Sequence, residues 1–509
     1  ATPQQLFNLE KLGYKPELLL HPSWVDAESV AMATSVDQMD SWDRYPTYEV
    51  YRSMMKQFEI KYPNLCKLDS IGLTVQGRQL YVLRLGSKVK PEGDKPEVLL
   101  TSTMHGDETT GFVLLLRLTD YLLSTYDLIP RATSLLDNIC LYINPNANPD
   151  GTYNMGNHTV VGSTRGNANG IDLNRNFPDP RLGQYPGGAH QPETVAMINF
   201  AGERNFILSA NFHGAIELAN FPWDTWRSED RMHADHNWFY HRSRQYASIA
   251  QANSPPGYFT AMDNGVTHGG DWYVITGGRQ DYMNYWHSCR EITLEISNDK
   301  LLPSELLPAH WDYNRDAVLT YVESTLKGFN GTITDVNENP LQATITIEDH
   351  DKDNSHTLSN HSTGRYFRMI EPGTWEVTYS ARGYTSQTHT IEVIDWESSV
   401  VNNVVLSPSD SHSPFFLSQD PPHRVWPNPT GDIINLKFSL ETSSNVDIHL
   451  IGLTGSVIKP LANLYINKGE HELQWNIGGK GLPRGIYILQ LKTANYVSSE
   501  RILLLPKQQ

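Results

Sequence analysis

Cysteine is nearly absent. The three thiols, Cys66, Cys140 and Cys289, are spread over 509 residues, too few for a disulfide framework and wrongly spaced for a thiolate zinc site. Buried free thiols are expected. An excess of positive charge is missing too. The chain has 40 Lys and Arg against 57 Asp and Glu, a formal charge of −17, which argues against nucleic acid as a partner. No run is long and apolar enough to cross a membrane as a helix. The His-Glu-x-x-His helix signature is not found. Disorder-prone composition is lacking, since 39% of residues are hydrophobic and 19% charged, a globular balance. The chain opens on Ala1-Thr2-Pro3 without a basic segment, which reads as a start after leader removal.

What is present is a set of polar residues inside or just after apolar runs. The run 98–104 ends in His105-Gly106-Asp107-Glu108. A second, 206–212, ends in His213, and a third, Ile292-Thr293-Leu294-Glu295-Ile296, carries a carboxylate within it. Strands of this kind are usually covered on both faces, so polar groups there need a reason. Two His and a Glu meeting at strand ends make a catalytic zinc set with one coordination position left open. Asp107 and Glu217 compete as ligands, or serve as outer partners of a ligating His. Glu295 is a candidate general base, and Glu291, four residues earlier, shares its face, so spacing does not choose between them. Arg165 and Arg175 flank an amide-rich stretch, and Arg175 offers a planar fork suited to a carboxylate.

A chain of this length implies several domains. Residues 1–45 show little periodicity and read as an N-terminal extension. Residues 46–326 alternate strand runs with helical patterns at 110–126, 192–204 and 238–252, which predicts an α/β domain with a mixed sheet. Its ligands are expected at the carboxyl ends of strands, where His105 and His213 fall. Residues 327–406 carry short alternating runs and predict a β-sandwich. Residues 407–425, rich in Ser, Pro and Asp, read as a linker, and 426–509 as a second all-β module.

Five stretches together resemble the zinc metallocarboxypeptidases, specifically the carboxypeptidase D, N and E (regulatory) subfamily. They are Met104-His105-Gly106-Asp107-Glu108, Asn148-Pro149-Asp150-Gly151, Gly170 to Asp179, Ala210-Asn211-Phe212-His213-Gly214, and Gly277 to Tyr285 followed by Glu291 to Glu295. The resemblance implies one zinc ion held by His105, Glu108 and His213, with Glu295 as general base and Arg165 stabilising the oxyanion. It implies that Asn174, Arg175 and Tyr273 hold the substrate's terminal carboxylate, so that the partners are peptide and protein C-termini. Asp224 and Gln280 match the pocket that selects C-terminal Lys or Arg, while Arg279 stands where relatives often have Met, and pointing inward it would repel a basic side chain. Residues 327–406 resemble the transthyretin-like domain of that subfamily. Residues 426–509 resemble the C-terminal sorting domain of the Bacteroidetes type IX secretion system, through Trp426 to Gly431, Leu453 to Ile458 and Leu482 to Tyr487. That implies a bacterial protein at the cell surface or in the medium, handled by the type IX machinery. Two other readings share parts of the pattern: an amidohydrolase of the acylase or desuccinylase type, and a catalytically silent surface binding protein.

Overall fold

The apolar runs of the first half become one eight-stranded sheet. Its strands are β1 (Cys66–Leu73), β2 (Gln79–Leu85), β3 (Glu97–Ser102), β4 (Cys140–Asn144), β5 (Phe206–His213), β6 (Ile216–Phe221), β7 (Val266–His268) and β8 (Arg290–Ser297). The computed structural model describes residues 3–15, 27–88, 93–409, 423–426, 430, 433–440, 444–452, 457–476, 485–493 and 497–504. These fall into two units, Ala1–Pro408 and Ser409–Gln509. Strand order in the large sheet is β1-β2-β4-β3-β5-β8-β6-β7. The centre, β4-β3-β5-β8, is parallel. Antiparallel pairs flank it on both sides, which gives the mixed sheet expected.

Helices cover both faces. The helices α1 (Tyr48–Lys61), α2 (Thr110–Ser124), α3 (Pro130–Asn138), α5 (His236–Ala252) and α7 (Leu307–Glu323) bury apolar residues with Val98, Leu100, Leu208, Ala210, Phe212, Ile292, Leu294 and Ile296. The helices α4 (Pro192–Gly202) and α6 (Arg279–His287) cover the other face, where Met197, Phe200, Tyr282 and Met283 meet Leu99 and Tyr142. Side chains alternate along a strand, so Thr101, Ser209, Asn211, His213, Glu291, Thr293 and Glu295 all point to this second face. Every polar residue singled out in these strands therefore looks the same way. The three expected helices are present as α2, α4 and α5, with ends shifted by up to two residues.

The N-terminal stretch departs from the expectation of an appended segment. From residue 27 on it is built into the sheet module. Ala33, Met39 and Tyr45 lie in the large core, the Tyr45 hydroxyl donates to the Leu302 carbonyl at 2.8 Å, and the Ala31 amide donates to Ser304 Oγ at 2.8 Å. Residues 16–26 lie outside the described residues.

Residues 328–406 form a β-sandwich in the same unit. Its strands are β9 (Gly328–Asp335), β10 (Thr344–Ile347), β11 (Thr357–Leu358), β12 (Arg365–Arg368), β13 (Gly373–Ser380), β14 (Gln387–Val393), β15 (Ser399–Val401) and β16 (Val404–Leu406). One sheet is β12-β9-β15, with β16 also on β9, and the other is β11-β10-β13-β14. Phe329, Ile345, Ile347, Tyr379 and Ile391 fill its core.

A buried ion cluster ties the sandwich to the large sheet. Asp235 Oδ2 accepts from Arg290 at 2.7 and 3.0 Å and from Arg368 at 2.8 Å. Arg368 also donates to Asp351 at 2.7 Å, and Arg290 to the Ser355 carbonyl at 2.6 Å. Arg368 and Asp351 belong to the sandwich, Arg290 to β8. His241 of α5 stacks on Trp396 of the sandwich, with ring centroids 3.7 Å apart.

In the second unit, β17 (His423–Trp426), β18 (Ile433–Leu440) and β21 (Gly469–Asn476) form one sheet in the order β17-β18-β21. The other, β20-β19-β22-β23, contains β19 (Ser444–Ile451), β20 (Val457–Ile466), β22 (Gly485–Lys492) and β23 (Val497–Leu504). Ile434, Leu436, Ile448, Leu489 and Ile502 form its core. β17 begins inside the stretch read as linker, whose residues 410–422 lie outside the described residues. So do 427–429, 431, 453–456 and 482–484 of the sorting motifs.

Asp235→Ala leaves the buried Arg290 guanidinium without a carboxylate and Arg368 with Asp351 alone. Loss of a buried partner of this kind costs about 3–5 kcal/mol, so urea unfolding should shift to lower concentration by a corresponding amount. An unchanged midpoint would show that the cluster does not carry the junction.

Candidate metal centre and active site

His213 is the last residue of β5, and in the parallel register of β5 and β8 it lies opposite Glu295. His105 and Glu108 follow the end of β3, the strand on the other side of β5. Three neighbouring strands thus deliver four polar groups to one place at their carboxyl ends. His213 Nδ1 lies 3.0 Å from His105 Nδ1 and 2.8 Å from Glu108 Oε2, and His105 Nδ1 lies 2.9 Å from the same oxygen. This is the one group of three convergent His, Cys or carboxylate ligands among the described residues.

The local chain path explains why this sequence makes that turn. Thr103 sits at φ 60°, an uncommon conformation for a β-branched residue, and its hydroxyl donates to the Glu108 carbonyl at 3.1 Å. Gly106 lies so close to Gly151 that any Cβ would collide with that backbone. Asn148 donates to the Met104 carbonyl at 3.1 Å. Asp150 accepts from Thr74, the Gln76 amide and Arg78 at 2.7–2.9 Å. The Asn-Pro-Asp-Gly stretch is therefore a brace between the His105 loop and the β1–β2 hairpin.

The outer nitrogen of each imidazole is also engaged. His105 Nε2 meets Asp172 Oδ1 at 3.0 Å, and His213 Nε2 meets the Asn211 amide at 2.8 Å. A ligating Nδ1 needs a protonated Nε2. Asp172 accepts that proton directly. The structure sets Asn211 Nδ2 at His213 Nε2 and its oxygen at the Thr101 hydroxyl, which donates to it at 3.1 Å; exchanging the two ends of the amide offers the oxygen to a protonated Nε2. Burial pushes the His213 imidazole down to about 4. Burial also opposes charge on His105, but Glu108 and Asp172 hold its pKa above the ordinary value. Despite burial, the two imidazoles hold the Glu108 carboxyl well below the usual range. Two imidazole lone pairs and a carboxylate oxygen within 3.0 Å of one another repel unless a cation or protons stand among them. The donor set and its outer partners fit zinc.

Glu108 Oε1 is flanked by Lys300 at 3.2 Å and Arg165 at 3.3 Å. Arg165 also donates to Asp172 at 2.9 Å and faces the cleft with 37% of its side chain exposed. Asp107 bonds Lys300 at 3.1 Å, and Glu217 accepts from the Phe259 amide at 3.3 Å, so both stand outside the three-donor set. Glu295 is buried with Oε2 unpartnered among the described residues. Burial first, then the Glu108 charge, hold its carboxyl well above the usual range. Glu291, by contrast, is paired with Arg279 at 2.7 Å. The two strand carboxylates are thereby distinguished: one is spent on an ion pair, the other is free in the cleft.

A cleft of about 150 Å³ is lined by His105, Glu108, Arg165, Asn174, His213, Asp224, Gly269, Trp272, Tyr273, Glu295 and Lys300. At one end Asp224 Oδ1 accepts from Gln280 at 3.0 Å and Asn220 at 3.1 Å. Burial pushes the Asp224 carboxyl up to about 6, against the pull of the Asn220 amide and the Arg175 charge. A Cβ at Gly269 would collide with that carboxylate, so glycine keeps this end open. Tyr273 is 46% exposed on the rim. Arg175 stands behind Asn174, donating to its carbonyl at 2.8 Å, and is not among the residues lining the cleft. Against the expectation of a repelling charge, Arg279 does not point into this pocket: it is fully buried and turned into the sheet.

Sequence reasoning missed Asp172, Asn211, Gly269 and Lys300. Asp172 holds His105, Arg165 and the Asn174 amide at once. Its signal was an Asp two residues before Asn174, the pattern of a helix cap. Asn211 could have been found from strand alternation, since it shares the face of His213. A larger hollow of about 450 Å³, lined by Lys67, Arg84, Lys95 and Cys140 among others, lies at the amino ends of β3 and β4. It is at the far end of the strands from these groups.

Residues 51–317 match the zinc carboxypeptidase family, and residues 424–504 match a secretion system C-terminal sorting domain. The chain is 34% identical to mouse carboxypeptidase M over 67% of its own length and 79% of that protein. It is 32% identical to the catalytic chain of human carboxypeptidase N over 70% of its own length and 85% of that chain. Against carboxypeptidase D of Anas platyrhynchos it is 31% identical over 78% of its length but spans only 29% of that longer protein. Carboxypeptidase A of Helicoverpa armigera superposes with a TM-score of 0.50 at 18% identity, covering 63% of this chain and 86% of that one, a likeness of fold.

Asn211→Leu removes the outer partner of His213 and leaves all three donors. Zinc affinity should fall about 10–100-fold, read by competition with a chromophoric chelator. Unchanged affinity would exclude Asn211 as the group that orients His213.

Proposed function

The chain belongs to the zinc carboxypeptidase family, and from that premise we propose that it is an exported enzyme that hydrolyses the C-terminal peptide bond of peptides and proteins, with preference for C-terminal Lys or Arg. The observation that carries the reading is the shared cleft: the three-donor set, the unpaired Glu295, Arg165, Asn174 and Asp224 all line it. His105, Glu108 and His213 would hold one zinc ion, which supplies a Lewis acid for the scissile carbonyl and acidifies a water. Glu295 takes the proton of the attacking water and returns it to the departing amine. A base must be ionised to act, and a bound cation beside it offsets the burial that raises its pKa. Arg165, held at Nε by Asp172, keeps an exposed edge toward the cleft, where it meets the oxyanion. Asn174, Tyr273 and the nearby charge of Arg175 receive the terminal carboxylate. Asp224, steadied by Gln280, receives a cationic side chain, which a buried carboxylate needs as partner. The sorting-domain match supports export to the cell surface or medium by the type IX machinery.

An amidohydrolase of the acylase type would use the same donor trio but has no need of the Asn174, Arg175 and Tyr273 group. A silent binding protein would have no need of a complete donor set with a free carboxylate beside it.

Glu295→Gln should leave zinc content unchanged and lower kcat by about 10²–10⁴. Near-normal turnover would sink the assigned role. Selectivity should depend on pH in a defined direction. Above about 6 the Asp224 carboxyl is ionised and attracts a cation; below about 6 it is neutral. The ratio of kcat/KM for peptides ending in Arg to those ending in Leu should therefore rise with pH through about 6, since kcat/KM reports the free enzyme. Asp224→Asn should flatten that rise. A ratio independent of pH, or equal losses on both peptides, would move the selective pocket elsewhere.

A further inference from the structure

One fully buried guanidinium has no part in the proposed chemistry. Arg279 reaches both oxygens of Glu291 through Nε and Nη2 at 2.7–3.3 Å. Nη2 also donates to Ser209 Oγ at 3.1 Å, and Nη1 to the Thr101 hydroxyl. Those partners lie on β8, β5 and β3, the three strands that deliver the donor set and Glu295. One side chain thus ties the start of α6 to all three, on the face that carries the site.

The backbone and neighbours of Arg279 point the other way, into the cleft. Its own amide donates to Asn174 Oδ1 at 2.9 Å. Gln280 donates to Asp224 Oδ1 at 3.0 Å. Asp281 accepts the amides of Asp224 and Thr225 at 2.9 and 2.8 Å. A single helical turn therefore holds both Asn174 and Asp224. Gly278 at the N-cap has no side chain to cap this helix; the Gly277 amide, which donates to Asp179 at 3.0 Å, holds the chain just before it, and the Arg279 side chain is what fastens the turn to the sheet.

We infer that Arg279, through its two-pronged pair with Glu291, is a positioning residue that sets the distance between the carboxylate-binding Asn174 and the side-chain pocket at Asp224. The inference rests on the carboxypeptidase reading for what the two ends bind. Loosening the turn changes the spacing between two subsites that must be filled by one amino acid, whatever its side chain. The penalty should fall on binding, and on Arg-ended and Leu-ended substrates alike, because Asn174 serves both. The donor set is held by its own contacts and by Asp172 and Asn211, and Glu295 by the backbone ladders of β8 with β5 and β6, so both should be spared.

The test compares wild type, Arg279→Met, Arg279→Lys and the double variant Arg279→Met with Glu291→Gln, all as full-length zinc-loaded protein. The double variant removes the orphaned carboxylate and with it the cost to stability. Arg279→Met should raise KM on both peptides about tenfold or more with kcat within about threefold, and zinc content should stay at the wild-type value. In the double variant the thermal midpoint should recover while KM stays high. Recovery of KM together with the midpoint, or an unchanged KM in Arg279→Met, would overturn the inference. If Arg279→Met does not fold, Arg279→Lys, which keeps the charge but not the fork, should raise KM, and an unaltered KM there overturns it equally. Weaker binding of free L-arginine by the variants than by wild type, read by calorimetry, tests the same spacing without turnover. Absence of wild-type turnover with that difference in binding intact would fail the activity reading and leave the brace standing; no difference in binding would fail the brace.

Discussion

The site depends on β5 lying in parallel register between β3 and β8. That register sets Asn211 beside Thr101 and Glu295 beside His213. Because side chains alternate on a strand, a slip of one residue in β5 or β8 would turn His213 or Glu295 into the apolar core. The core prevents the slip. Leu208, Ala210, Phe212, Ile292, Leu294 and Ile296 are all buried on the opposite face, and a shift would expose them and bury the charges instead. The apolar half of each strand thus specifies where the polar half points.

Strand β8 shows how that arrangement tolerates charge. It carries Arg290, Glu291 and Glu295, all buried. Arg290 is satisfied by Asp235 in the cluster that joins the sandwich to the sheet, and Glu291 by Arg279. Each is locked by a partner of opposite sign with further hydrogen bonds around it, the condition under which buried charge is sustainable. Glu295 lacks such a lock. The same strand therefore holds two charges used for architecture and one left unpaired in the cleft.

How far the sequence could be read follows from the length scale of each feature. The order of strands and helices, the donor trio and the shared face of Glu291 and Glu295 rest on local periodicity and motif spacing, and those were legible. The choice between the two glutamates was not legible from spacing, because it depends on Arg279 reaching across from a helix. Asp172 and Lys300 escaped notice for the same reason: their roles come from contacts across 67 and 192 residues of sequence. The N-terminal stretch was misjudged because it has little periodicity of its own. It contributes single residues, such as Tyr45, to a core defined elsewhere. Arg279 was the reverse case, a charge that looked misplaced beside a cation pocket until its direction was known.

Selectivity for a cation in such a pocket owes as much to penalty as to attraction. Asp224 is buried and steadied by two amides, so its ionised form is costly while the cleft is empty of counter-charge. On the proposed reading a lysine or arginine side chain would offset that cost. A leucine would complete the burial of the carboxylate and offer it nothing, leaving an unpaired charge or forcing a proton onto it. Discrimination of this kind comes from what the wrong substrate leaves unsatisfied. It requires that the carboxylate be held at a fixed depth, because a mobile one would turn toward water and escape the penalty. The amides of Asp224 and Thr225, fastened to Asp281 in the first turn of α6, supply that fixity. The sheet, through Arg279, is what the turn itself is fastened to.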